Sequence, residues 1–191
     1  MKQFLPILKR SLLVLVLMSF LILVMVKTVQ SASSSSNSFP ENWQGTWSGT
    51  MFNRSVKGQS KTVPMILKIQ PISNNPLRYT WQITYEAGAK KQVRNYELVI
   101  KDRGAGHFVI DEQDGTLIDA WWVGDTLYSQ FRVGNRLLNS QYERQSDRLR
   151  YKLVTYQPLS SPPAKGSQQK VPFESYQIGA VQSAELAIAS E

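Results

Sequence analysis

The amino-acid sequence predicts an all-β protein: an antiparallel up-and-down barrel of about 9–10 strands, preceded by an apolar N-terminal helix. Three observations carry that expectation. In LRYTWQITYE, residues 77–86, Leu77, Tyr79, Trp81, Ile83 and Tyr85 share one face and polar residues fill the other, the two-residue period of a half-buried strand. Similar short segments, nine in all, recur at intervals of roughly ten residues from Trp43 to Tyr156, divided by Gly, Asn, Asp and Pro. No stretch of that region carries an apolar stripe at the helical period of about 3.6 residues. A two-sheet sandwich is the alternative, but nine consecutive strands with short turns suffice to close, and closure removes exposed edges.

The chain opens with MKQFLPILKRSLLVLVLMSFLILVMVKTVQSASSSS, in which Lys2, Lys9 and Arg10, an apolar run and a stretch of small polar residues form the three parts of a secretory signal. The uncharged run from Ser11 to Val26 has 16 residues, about 24 Å of helix at about 1.5 Å per residue, short of a ~30 Å hydrocarbon core. That length favours a signal peptide over residues 1–32. Lys27 directly behind the run is unusual in a cleaved leader, so an uncleaved anchor, touching the membrane through residues 11–26, is the other reading. Both readings predict export. A Ser-rich linker, residues 33–42, separates the leader from a barrel domain over residues 43–156.

Within the domain, TVPMILKIQP sends Val63, Met65, Leu67 and Ile69 inward, and Pro64, which cannot donate to a ladder, marks an edge or a bulge. VRNYELVIKD offers Tyr96, Leu98 and Ile100, and HFVIDE offers Phe108 and Ile110. DTLYSQFRV contributes Leu127, Phe131 and Val133, RLLNSQYE contributes Leu138 and Tyr142, and RLRYKLVTY contributes Leu149, Tyr151 and Leu153. Between them GAGH, EQDGT, VGDT and VGNR supply the Gly, Asn and Asp of tight hairpins. LIDAWWV permits two inward phases, either Leu117, Asp119, Trp121 and Val123 or Ile118, Ala120 and Trp122. Past Tyr156, residues 157–172 read as a Pro/Ser linker, and residues 173–191 as a last strand or a short helix.

The absence of cysteine excludes disulfides, zinc thiolates and thiol nucleophiles. The 159 residues behind the leader must therefore be held by their own core, and they suffice for one ordinary domain. Half of the formal +8 charge sits in the leader, at Lys2, Lys9, Arg10 and Lys27. The remainder is mildly basic with no dense cationic cluster, so nucleic acid is not an expected partner.

The first strand reads WQGTWSGTM. Its Gly45-Thr46-Trp47 resembles the G-x-W at the start of the first strand of lipocalins and the G-T-W-x-G opening of nitrobindin-like barrels, over residues 43–156 at most. The resemblance implies a calycin-type barrel with Trp47 plugging one end and, as in lipocalins, a late-strand arginine stacked over it, here Arg148 or Arg150. Nitrobindin-like proteins bind haem through a histidine near the C-terminus. This chain has only His107 and no histidine in its last 84 residues, so haem by that route is not expected. The layout also resembles that of exported cyanobacterial proteins, which implies a periplasm or a thylakoid lumen as the destination.

His107 precedes the inward Phe108 and Ile110 and is expected to face solvent, and without it no nucleophile–base–acid set or histidine metal site can be assembled. Asp111, Glu112, Asp114 and Asp119 do not follow the spacing of a calcium loop. The expectation is thus a non-catalytic barrel, without cofactor or metal, that binds a small apolar or aromatic ligand. Trp47 would be the plug and Tyr79, Trp81, Tyr85, Trp121 and Phe131 the lining, with Asp119 inside beside Trp121 if the first phase of LIDAWWV holds. Tyr96, Tyr142 and Tyr151 complete the inward aromatic set. The alternative is a structural or assembly factor with a solid interior, docked on a membrane protein complex by its outer aromatics and C-terminal tail.

Overall fold

The computed structural model describes residues 38–88, 90–158 and 175–189. The leader, the first half of the Ser-rich linker and most of the Pro/Ser linker lie outside these residues. Among the described residues no helix is long and apolar enough to cross a membrane. The chain divides after Asn42 into two units. In the first, residues 38–42 form a turn in which the Asn42 N–H donates to the Ser38 carbonyl at 3.0 Å. The second holds the sheet.

Ten strands close into one antiparallel barrel: β1 (Gly45–Ser55), β2 (Ser60–Ile69), β4 (Asn75–Ala87), β5 (Lys90–Asp102), β6 (His107–Asp111), β7 (Leu117–Val123), β8 (Thr126–Val133), β9 (Arg136–Gln145), β10 (Arg148–Pro158) and β11 (Tyr176–Ile188). A two-residue β3 (Pro71–Ile72) pairs with β4 beside the closure. From β4 to β10 each strand pairs with the next in sequence, as expected of a meander. The seam is β2 against β4, from Met65 opposite Tyr85 to Lys68 opposite Gln82. Pro64 sits one residue past the end of that pairing, on the locally unpaired side, where its missing N–H costs no ladder bond.

The predicted turns carry the backbone that short hairpins need. Gly124 and Gly134 hold φ of 62° and 58° between β7 and β8 and between β8 and β9, a region other residues adopt only under strain. Gly106 is constrained further, because a Cβ there would stand 2.6 Å from the Trp122 carbonyl oxygen.

The C-terminal segment is a strand. β11 lies between β1 and β10 and completes the barrel, with Ala184 opposite Met51 on one side and opposite Tyr151 on the other. The fit is tight: a Cβ on Gly49 would stand 2.3 Å from the Glu185 carbonyl oxygen.

β7 takes the second phase. Ile118 and Ala120 are buried, Trp122 is half-buried, and Asp119 and Trp121 lie on the outer face. Ala120 faces the buried Phe108 on one neighbour and Ser129 on the other. The small side chain makes room for the ring, whereas the other phase would bury the Asp119 carboxylate without a partner. Leu77 and Val133, expected inside, are exposed, because they lie past the ends of the core on β4 and β8.

Gly49→Ala should lower the unfolding free energy by about 1–3 kcal/mol, the scale of overpacking in a well-packed interior. Urea unfolding followed by tryptophan fluorescence measures it, and an unchanged midpoint would show that β1 and β11 separate easily.

Candidate functional site

The inward faces of the ten strands divide into two unlike halves. In the half around Trp47, the inward Ile69, Ile100, Phe108, Leu127, Leu149 and Leu186 are all buried. The Trp47 indole N–H donates to the Trp43 carbonyl at 2.8 Å. The Trp43 ring lies 6.5 Å from that of Trp81 and meets Trp122 edge-on at 5.5 Å. Trp47 is thus fully buried in this half, fixed by a hydrogen bond as well as by area. The arginine over its ring is Arg144, with the guanidinium 5.5 Å from the ring centroid. This corrects the expectation of Arg148 or Arg150. Leu149 occupies the inward phase of β10 opposite Arg144, so the two arginines beside it point outward, where Arg148 pairs with Asp147 and Arg150 with Glu185, each at 3.7 Å.

The middle of the barrel is aromatic. Trp81 meets Tyr142 edge-on at 5.0 Å, and Tyr142 lies 4.9 Å from Tyr151. Behind them, the Ser129 and Ser140 hydroxyls share a hydrogen bond of 2.7 Å.

Past this layer the interior opens. Val63, Tyr85, Tyr96, Phe131, Leu138, Leu153 and Gln182 are only half-buried, although cross-strand register places them on the inward face, and Arg94 is exposed at the rim. Arg94 lies opposite the buried Ile83 and so points inward, where its Nη1 donates to the Tyr96 hydroxyl at 2.7 Å. The Tyr151 hydroxyl donates to Gln182 Oε1 at 3.1 Å. The Ser55 hydroxyl is buried on the inward phase of β1 with no hydrogen-bond partner among the described residues.

The electrostatics make this half a donor surface. Burial pushes the Tyr142 and Tyr151 phenols well above the usual tyrosine range. Burial also raises Tyr85 and Tyr96, with the neighbouring Tyr151 hydroxyl and the Arg94 guanidinium opposing it in part. The bond to Tyr96 keeps Arg94 charged above its ordinary range. All four phenols are thus neutral O–H groups at physiological pH, beside a fixed cation. Such a set recognises oxygen-rich or anionic groups on an otherwise apolar body.

Of the residues expected to form the site, Trp47, Tyr79 and Trp81 are buried inside, and Tyr85 and Phe131 are half-buried at the open half. Trp121 and Asp119 are not lining residues. They sit outside with His107, whose Nε2 lies 2.7 Å from Asp119 Oδ1 and whose ring stacks on Trp121 at 4.4 Å. Arg94 and Gln182 join the site without having been anticipated. The signal for Arg94 was its place two residues before Tyr96, in the same phase.

No protein-family model matches the chain, and no curated protein matches it in sequence. Among solved structures, it is similar to the S-type phycobiliprotein lyase CPES from Guillardia theta, with a TM-score of 0.53 and 11% identity, covering 79% of this chain and 91% of the lyase. At that identity the likeness concerns the fold alone.

The buried phenols also set an alkaline limit on stability. A tyrosine whose proton is held more tightly in the folded than in the unfolded chain adds stability below pH ~10, the unfolded value, and that contribution is lost as pH rises above it. The unfolding free energy should therefore fall above pH ~10, and Tyr142→Phe should show a shallower fall. Urea titrations at stepped pH test this, and identical slopes for the two proteins would contradict it.

Proposed function

We propose that the barrel is a non-catalytic binding protein whose open half holds a small, extended, unsaturated acid of the pigment-like class. The apolar body would lie against Tyr85, Tyr96 and Phe131, with the carboxylate toward Arg94. The observation that carries the reading is the inward-facing Arg94, with one of its five N–H donors on Tyr96, set among neutral phenols at the open half of an otherwise apolar interior. The orphaned Ser55 hydroxyl supports a polar occupant, since a buried hydroxyl left unpaired costs about 1–3 kcal/mol. The fold neighbour's being a phycobiliprotein lyase supports a pigment-like molecule over other acids. The leader's composition supports a protein that works after export, in a periplasm or a thylakoid lumen, and N-terminal sequencing of the mature chain would reveal whether the anchor is retained.

Biliverdin, a conjugated molecule with two carboxylates, is a suitable probe. It should quench tryptophan fluorescence on binding, and its dimethyl ester should bind more weakly. Arg94→Leu should weaken the free acid about tenfold, the scale of a charged hydrogen bond worth ~1.5 kcal/mol, and leave the ester nearly unaffected. Equal affinities for acid and ester in the parent protein, or no binding of either, would sink the reading.

A further inference from the structure

The outer face carries a second feature that the barrel interior does not use. A groove of about 500 Å³ crosses β8, β9, β10, β11 and β1. Its floor is a row of cross-strand neighbours: Tyr128, Gln141, Lys152, Ser183 and Phe52. The two aromatic ends are 37% and 38% exposed, in the order Tyr128 and Phe52. Four interstrand steps of ~4.8 Å make a path of ~19 Å along the curved sheet, which matches about six residues of extended chain at ~3.3 Å each. That length is too great for one aromatic small molecule to reach both ends.

The charges in the groove are unequally matched. Arg150 is neutralised, lying 3.7 Å from Glu185 and in register with Glu143 on its other side. Lys152 has only Ser183 and Gln141 beside it across the strands. Arg54 lies over the Phe52 ring, 4.9 Å from its centroid. Neither Lys152 nor Arg54 forms an ion pair among the described residues, so the groove offers one unpaired cation, Lys152, midway between two aromatic anchors and a second, Arg54, stacked on the Phe52 anchor at one end. The chain's own longer segments outside the described residues have the wrong sign to fill it, and residues 190–191, which include Glu191, are too few to span it. Residues 1–37 contain no acid, and residues 159–174 carry Lys165 and Lys170 against Glu174 alone.

We infer that this groove docks an extended acidic segment of a partner protein, about six residues long, with an apolar side chain at each end against Tyr128 and Phe52 and carboxylates over Lys152 and Arg54. Trp121, 47% exposed and opposite Tyr128 in the ladder, continues the apolar rim toward β6. The groove is separate from Arg94 and the open half of the interior, and the two sites stand or fall independently.

A phage-displayed library of random hexapeptides, selected against the full chain, tests this. Enrichment of segments with Asp or Glu in the middle and aromatic or aliphatic ends is expected. A synthetic copy of the leading sequence, followed by fluorescence anisotropy, should lose about tenfold in affinity with Lys152→Glu and with Tyr128→Ala, the scale of an interface anchor. Arg94→Leu should leave its binding unchanged, with circular dichroism confirming the fold of each variant. If Lys152→Glu fails to fold, Lys152→Gln replaces it with the same reading. No enrichment, enrichment of sequences without acids, or affinity indifferent to both groove substitutions would overturn the inference.

Discussion

The fit of β11 between β1 and β10 is the constraint from which the rest of the molecule follows. Without it both neighbours would present a row of unpaired backbone groups, and the meander from β4 to β10 would be an open sheet. The fit demands small side chains. Gly49 lets the Glu185 carbonyl approach to a distance at which no Cβ could stand, and Ala184 fills the space left between Met51 and Tyr151. In return β11 delivers Gln182 to the interior, where it accepts the Tyr151 hydroxyl bond. Closure of the barrel and construction of the site are thus the same event.

The asymmetry of the two halves explains why the candidate site lies toward one end. Around Trp47 the sequence supplies aliphatic side chains and an indole whose N–H is already spent on the Trp43 carbonyl. Toward the other end the same strands switch to Tyr85, Arg94, Tyr96 and Gln182. A polar group taken out of water costs free energy unless it is hydrogen-bonded. These four are tolerated because Arg94, Tyr96 and Gln182 bond within the protein and all four stay only partly withdrawn from solvent. An interior that was merely packed would need none of them.

Much of this was legible in the sequence, and the misses have physical causes. Alternation placed the inward faces of β2, β4 and β5 because each carries large apolar residues two apart. It was silent on β11, whose AVQSAELAI mixes small residues that fit between neighbours with few large apolar ones. It left β7 ambiguous because both phases hold a tryptophan, and the decision rests on the match of Ala120 to Phe108 across the ladder. The stacking arginine followed a family pattern rather than the phase. With Leu149 and Tyr151 inward, Arg148 and Arg150 had to face out, and Arg144, two residues past the inward Tyr142, was the residue in register. Burial and register are properties of pairs of strands, which a single strand's pattern does not contain.

The barrel thus presents a donor-lined interior and an outer face on which Trp121, His107 and the groove between Tyr128 and Phe52 have no part in that interior. The central claim is that small acids enter the open half. The five tryptophans make it directly measurable, because each indole N–H gives its own signal in a nitrogen–proton correlation spectrum. On titration with biliverdin, an interior site requires the Trp81 signal to move in proportion to occupancy while that of the exposed Trp121 stays in place. Movement of Trp121 with Trp81 fixed would put the ligand on the outer face and contradict the account.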